Sequence, residues 1–199
     1  MKLIIASNNL KKIREIKNIC CGLPYDIVSL CEQGIFIDVA EDGKTIQENS
    51  YKKADAIYKY LINNNISDFM VLSDDSGLEI DYLNGEPGVR SARFAGEPCD
   101  DNKNNSKVLE LMKDAEYSKR NAKFLTVITL IDYKGNINQF SGEVSGVILN
   151  EKRGNNGFGY DCLFYIEELE KTFAELNEQQ KNNISHRGRA LEELKDYLK

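Results

Sequence analysis

Along the chain, short apolar runs alternate with polar turns and with stretches of helical periodicity. Lys2 to Ala6 is a β-prone apolar run that ends in Ser7-Asn8-Asn9, after which Ile13, Ile16 and Cys20 recur at helical spacing. The opening is therefore predicted as strand, polar turn, helix, a junction that offers backbone N–H groups and the positive end of a helix dipole. Tyr25 to Leu30 is predicted as a second strand and Thr45 to Ile62 as a longer helix, with Thr45 and Glu48 in capping-box spacing. Phe69 to Ser73 reads as a strand that enters Asp74-Asp75-Ser76-Gly77, with Leu78 to Tyr82 continuing as strand up to the turn signal Asn84-Gly85.

The segment from Gly85 to Glu97 reads as loop, and Ser106 to Ala115 as helix. Lys123 to Asp132 and Ile137 to Leu149 are two long strands joined through Tyr133-Lys134-Gly135-Asn136, the pattern of a hairpin. Glu151 to Gly159 is a loop rich in glycine and asparagine, and Cys162 to Ile166 a short strand. Thr172 with Glu175 is a second capping-box pattern opening a polar helix. Ser185 can cap the last helix, whose apolar side carries Ala190, Leu191, Leu194 and Leu198. Strands and helices are mixed, with at least one long antiparallel pair, so the fold class is α/β or α+β around a mixed sheet rather than a regular doubly wound fold. No composition break places a boundary, and residues 1–199 are taken as one domain.

Composition narrows the function classes. A hydrophobic share of 41% with 29% charged residues fits a folded chain rather than a disordered one. The formal charge of −6 argues against a duplex nucleic-acid binder, but a small polyanion needs only a few placed cations and a metal. Cys20, Cys21, Cys31, Cys99 and Cys162 contain no CxxC pair, which suggests reduced thiols. His186 is the sole histidine, so a histidine-rich metal centre is excluded and any metal must rest on carboxylates. The apolar run at Leu3 to Ala6 is too short for a signal-peptide core, and Phe124 to Ile131 too short for a membrane span, so a cytoplasmic protein is expected.

Three polar segments carry candidate chemistry. Ser7 to Lys12, with Glu15 a turn further on, groups a hydroxyl, amides and lysines that can hold phosphate oxygens, or simply an N-capped surface helix. Asp74 and Asp75 sit on successive positions whose side chains point to opposite faces, which gives them different tasks, unless the segment is an Asp-rich turn capping itself. Gly154 to Asp161 allows close backbone approach to a ligand, with Phe158 placed to stack on a base and Asp161 to accept a ring N–H; the alternative is a connection with Phe158 and Tyr160 in the core. Ser185-His186-Arg187 is a weaker signal at a helix start.

With these residues in view, the chain resembles the inosine triphosphate pyrophosphatase family. The likeness runs from Ile5 to Leu194. It rests on Ser7-x-Asn9-x-x-Lys12-x-x-Glu15, Glu48-Asn49 with Lys53-Ala54, Asp74-Asp75-Ser76-Gly77-Leu78, Gly88-x-x-Ser91-Ala92-Arg93, Gly157-Phe158-Gly159-Tyr160-Asp161 and Ser185-His186-Arg187-Gly188, all in order. The resemblance implies an elongated mixed sheet flanked by helices, two lobes with the active site in the cleft between them, a homodimer, and Mg²⁺ as cofactor. It implies cleavage between the α and β phosphates of deaminated purine nucleoside triphosphates such as ITP, dITP and XTP. Position by position it assigns phosphate contacts to Ser7, Asn8, Asn9, Leu10, Lys11, Lys12 and Lys53, with Ser76 at the substrate. Glu41 and Asp75 become metal ligands, and Asp75 the proton acceptor. Phe158, Gly159, Tyr160, Asp161, Lys181, His186 and Arg187 become the base pocket, with Glu15 and Asp74 in support. Asn8 stands where glycine is common, Cys162 where proline is frequent, and Arg90 where an aromatic residue is usual. A same-fold pyrophosphatase with another base preference and a nucleotide-binding regulator are the alternatives.

Overall fold

The computed structural model describes residues 1–199. The elements are β1 (Lys2–Ile5), α1 (Leu10–Ile19), β2 (Asp26–Ser29), α2 (Ile46–Asn63), β3 (Phe69–Ile80), β4 (Pro87–Gly88), α3 (Asp101–Leu111), β5 (Asn121–Ile131), β6 (Ile137–Ile148), β7 (Phe164–Ile166), β8 (Lys171–Thr172), α4 (Glu178–Ile184) and α5 (His186–Leu198). Eight strands form one mixed sheet in the order β2-β1-β3-β5-β6-β7-β8, with β4 paired on β3. β1 lies parallel to both β2 and β3, pairing Ile4 with Val28 and with Val71. β7 is antiparallel to β6 and to β8. The mixed α/β fold expected from the sequence is thus the one observed. No helix is long and apolar enough to cross a membrane.

The chain divides into two compact units. The first comprises residues 1–75, 126–142 and 189–199, and the second residues 76–125 and 143–188. In the first unit the strands bury both faces, which is why they read as unbroken apolar runs rather than alternating ones. Leu3, Ile5, Met70, Leu72, Ile128 and Leu130 pack with Ile13 and Ile16 of α1 and with Ala190, Leu191 and Leu194 of α5. Ile4, Phe69, Val71 and Ile131 point the other way, onto Ala54, Ile57 and Leu61 of α2. Fully burying each such aliphatic side chain contributes roughly 1.5–3 kcal/mol. The second unit has its own core, in which Leu78, Ile80, Phe124, Val144, Ile148, Phe164 and Phe173 meet Val108 and Met112.

A buried arginine ties down the second unit. Arg120 is 1% exposed. Its guanidinium donates to the carbonyls of Ile148 (2.6 Å), Met112 (2.8 Å), Ala115 (3.3 Å) and Leu149 (3.0 Å). Burial lowers its pKa, yet four carbonyl partners suit a planar five-donor group.

Several elements differ from the sequence reading, among them the Thr172–Glu175 capping box, which opens only a short turn at Phe173–Glu175 while the polar helix α4 starts at Glu178 behind Asn177. β3 does not stop at Ser73; it runs through the acidic segment to Ile80. α3 begins at Asp101 rather than Ser106, with the Asp100 side chain accepting from the amides of Asn102 and Lys103. The Asn-rich first turn of α3 lay outside the predicted helix, yet Asn104 and Asn105 are buried and hydrogen-bonded outward to neighbouring loops.

Candidate active site

The first cluster gathers at the acidic stretch of β3, all of it within the first unit. Side-chain alternation along β3 sends Asp74 to the face of Met70 and Leu72, where α1 packs, and Asp75 to the face of Phe69 and Val71, where α2 packs. Each carboxylate accordingly meets a lysine from a different helix. Lys12 Nζ lies 2.6 Å from Asp74 Oδ1, and that carboxylate is wholly buried. Lys53 Nζ lies 2.8 Å from Asp75 Oδ1 and 2.7 Å from Glu41 Oε1, and also donates to the Asp74 carbonyl at 2.7 Å. All three ammonium donors of Lys53 are thus committed.

The electrostatics follow from this packing. Burial works against the Lys53 charge, but Asp75 and Glu41 outweigh it and hold the ammonium above its ordinary pKa. Burial pushes the Asp75 carboxyl above the usual carboxylate range; Lys53 and Lys12 pull it back only in part, and Glu41 adds to the rise. The cluster therefore pairs a cation that stays charged with a carboxylate disposed to take up a proton. Glu41 and Asp75 accept one cation between them, the donor pair a hard divalent ion uses when phosphate and water oxygens complete its shell. No set of three His, Cys, Asp or Glu side chains converges into a cage of its own.

Beneath the acids, hydroxyls fasten α2 to β3. The Ser73 hydroxyl donates to the Ser50 carbonyl at 2.6 Å and lies 3.0 Å from Ser50 Oγ. Ser50 Oγ is 2.8 Å from Thr129 Oγ1, which accepts from Gln139 Nε2 at 3.0 Å. Since Ser73 spends its proton on the carbonyl, the bonds run one way, from Gln139 through Thr129 and Ser50 to Ser73. This holds Lys53, one turn beyond Ser50 on α2, opposite Asp75.

The turn from Ser7 to Lys12 is capped rather than open. Asn9 Oδ1 accepts from the amides of Lys11 (3.0 Å) and Lys12 (3.2 Å), a cap worth about 1 kcal/mol, so two of the expected anion donors already have a partner. Ser7 Oγ accepts from the Asn9 amide, and Asn8 donates to the Ile37 carbonyl with its backbone outside the left-handed region. Leu10 and Lys11 are exposed, while Glu15 is buried in α1.

The second cluster lies within the second unit, on the loop 154–161 and the start of α5. Asp161 Oδ2 accepts from Lys181 Nζ at 2.7 Å and from the Phe158 amide at 2.8 Å, with both charged side chains 5% exposed. Lys181 Nζ sits 4.7 Å from the centre of the Phe158 ring, and the Arg187 guanidinium 5.8 Å from it. Arg187 also donates to Ser76 Oγ at 3.0 Å, which brings Ser76 to the same cluster. Gly157 adopts φ +74°, and a Cβ there would overlap Asp161 Oδ2, so glycine is what lets the carboxylate tuck under its own loop.

Two expected base-pocket side chains are buried against the core. Tyr160 turns into the core and donates its hydroxyl to the Ser91 carbonyl at 2.7 Å, so its ring is packing rather than a ligand face. His186 is buried and stacks on Phe124, with ring centres 4.7 Å apart. Sequence reasoning missed Asp101 and Asn105, which bracket Gly159 from α3. Their only signal was polar residues at helical spacing just before the predicted helix at Ser106.

A mixed α/β sheet, with a lysine–carboxylate cluster on one strand and a cation-flanked aromatic loop elsewhere, defines a protein equipped for a phosphorylated ligand. Residues 3–197 match the model of the Ham1 family, and the chain belongs to that family. It is 54% identical to the dITP/XTP pyrophosphatase of Clostridium perfringens over all of this chain and 97% of that protein. It is 45% identical to the protein of the same name from Desulforamulus reducens, over 100% and 96% of the respective chains. Among solved structures, the Ham1 protein of Staphylococcus aureus matches at TM-score 0.85 and 40% identity, covering 100% of this chain and 98% of that one. A HAM1 protein from Coxiella burnetii matches at TM-score 0.87 and 38% identity with the same coverage.

Proposed function

We propose that this chain hydrolyses deaminated purine nucleoside triphosphates (ITP, dITP and XTP) at the α–β phosphate bond, giving the nucleoside monophosphate and pyrophosphate with Mg²⁺ as cofactor. The observation that carries the reading is the Lys53 ammonium bridging Glu41 and Asp75, with burial holding the Asp75 carboxyl above the ordinary carboxylate range. Full-length relatives named dITP/XTP pyrophosphatases support the substrate class.

Glu41 and Asp75 would hold the metal, which supplies charge neutralisation on the phosphate oxygens when bound. Asp75 accepts a proton from water as the water oxygen bonds to the α-phosphorus; the bond from that phosphorus to the bridging oxygen breaks, and pyrophosphate leaves with its electron pair. Lys12 and Lys53 offset the negative charge that grows on the leaving group. Asp74 keeps Lys12 in place by its ion pair.

Base choice belongs to the second cluster. Phe158 stacks on the purine, while Lys181 and Arg187 offer donors that suit a 6-oxo acceptor and mismatch the 6-amino group of adenine. A site built for such a bond rejects a partner lacking it by roughly 10⁴-fold. The chain acts as a homodimer in the cytoplasm on this reading; cysteines that form no disulfide suit a reducing compartment.

The test is pyrophosphate release with Mg²⁺ across ITP, XTP, dITP, GTP and ATP. Rapid release from the 6-oxo deaminated substrates with ATP left nearly untouched is expected. Stoichiometric ITP binding without release would mark a sensor instead of an enzyme.

A further inference from the structure

The loop 154–161 has little regular structure of its own, and Gly154, Gly157 and Gly159 all adopt positive φ. Such a segment is held by a few bonds of its own, the Phe158 amide to Asp161 Oδ2 and the Asp161 amide to the Phe158 carbonyl, together with bonds from outside it. Three of those bonds come from the segment 172–176: the Asn156 amide donates to the Ala174 carbonyl, the Asn156 side chain to the Leu176 carbonyl, and the Ala174 amide to the Asp161 carbonyl.

At Gly159 both polar groups of the residue are taken by α3. Its N–H donates to Asp101 Oδ2 at 2.9 Å, and its carbonyl accepts from Asn105 Nδ2 at 2.8 Å. Asn105 also donates to the Asp101 carbonyl at 2.7 Å and is 1% exposed, so the clamp is braced within one helical turn. No neighbouring atom lies within 4 Å of a Cβ built at Gly159; glycine is required there by φ +60°, not by crowding. The Gly159 N–H belongs to the peptide plane that starts at the Phe158 carbonyl carbon. Fixing it fixes the plane from which the Phe158 ring departs.

We propose that Asp101 and Asn105 are positioning residues for base selection: from α3 they grip both sides of Gly159 and set the pitch of Phe158 between Lys181 and Arg187. The proposal rests on the reading of Phe158 and Asp161 as the base pocket. It predicts an effect on how well the purine is read, with the hydrolytic step itself left alone.

The experiment is steady-state kinetics on ITP and ATP for Asp101→Ala, Asp101→Asn and Asn105→Ala, with melting temperatures and the hydrogen-exchange rate of the Gly159 amide. Asp101 is exposed and alanine favours helix, so Asp101→Ala is expected to fold even where the buried Asn105→Ala does not. Asp101→Ala should raise KM for ITP about five- to tenfold, the loss of one hydrogen bond, with kcat within about twofold. It should narrow the preference for ITP over ATP by a similar factor and speed exchange at Gly159. Asp101→Asn keeps an acceptor oxygen and should restore most of the wild-type behaviour. A wild-type enzyme that prefers ITP, with Asp101→Ala changing neither KM nor preference, overturns the clamp and leaves the pocket standing. Equal loss of kcat on both nucleotides with an unchanged preference also overturns it. A wild-type enzyme indifferent to the base overturns pocket and clamp together.

Discussion

Replacing Gly157 by alanine tests the second cluster at its tightest point. The residue sits at φ +74°, where an L side chain costs about 1–2 kcal/mol. The added Cβ would lie 2.9 Å from the Asp161 carboxyl carbon and closer still to Oδ2, so the carboxylate must move. That oxygen serves two charge-assisted bonds, to the Phe158 amide at 2.8 Å and to Lys181 at 2.7 Å. Such bonds are worth roughly 1.5–3 kcal/mol each, and weakening one of them brings the total to about 3–5 kcal/mol. Gly159→Ala is the matched control, since it carries the same backbone penalty with no atom near the new methyl group. For a chain of this length about 2–4 °C per kcal/mol is expected, so Gly157→Ala should melt about 6–20 °C below wild type and Gly159→Ala about 2–8 °C below. Thermal and urea unfolding monitored in parallel measure both. Gly157→Ala no less stable than Gly159→Ala would refute the argument that this glycine exists to admit the Asp161 carboxylate.

Other outcomes follow from the same contacts. Asp75→Asn should nearly abolish pyrophosphate release while calorimetry still detects ITP binding; turnover like wild type would remove Asp75 from the chemistry. Because the folded-state pKa of Asp75 is raised, chiefly by burial, its carboxyl stays protonated where a free aspartate (about 3.9) is already charged. In the metal-free protein the Asp75 carboxyl should therefore take up its proton above the ordinary aspartate range, read by carboxyl NMR titration without Mg²⁺. The stability linked to Asp75 is present at acid pH and lost as pH rises through that folded value. Cys20 is buried, with its thiol pushed up to about 12 by burial, whereas Cys21, Cys31 and Cys99 are exposed; alkylation at neutral pH read by mass spectrometry should label those three and spare Cys20. Arg120→Met should destabilise by about 3–5 kcal/mol in urea, since it strips four carbonyls of their donor.

What could be seen in the chain beforehand was whatever left a periodic or local signature. The strands of the first unit, the hairpin at 132–136, the Thr45 cap and the apolar side of α5 all declare themselves in neighbouring residues. The opposite assignment of Asp74 and Asp75 followed from strand alternation alone. The continuation of β3 through four polar or small residues did not, because those carboxylates are tolerable in a strand only with Lys12 and Lys53 arriving from helices far off in sequence. The start of α3 was obscured for a related reason: buried asparagines there serve distant loops as well as their own turn. Tyr160 read from its own segment as a core residue and entered the base pocket only through the family resemblance; its hydroxyl bonds the distant Ser91 carbonyl within the core.

The neighbouring positions of Asp74 and Asp75 on one strand set a limit on how this region can vary in length. A single inserted or deleted residue between Leu72 and Asp74 would rotate the acids to exchanged sides, presenting to α1 the carboxylate now addressed by α2 and the reverse. Lys53 would face an acid in the wrong layer while Glu41 stayed where it was. Changes in even steps preserve the pairing, so drift in this strand is confined to whole pleats.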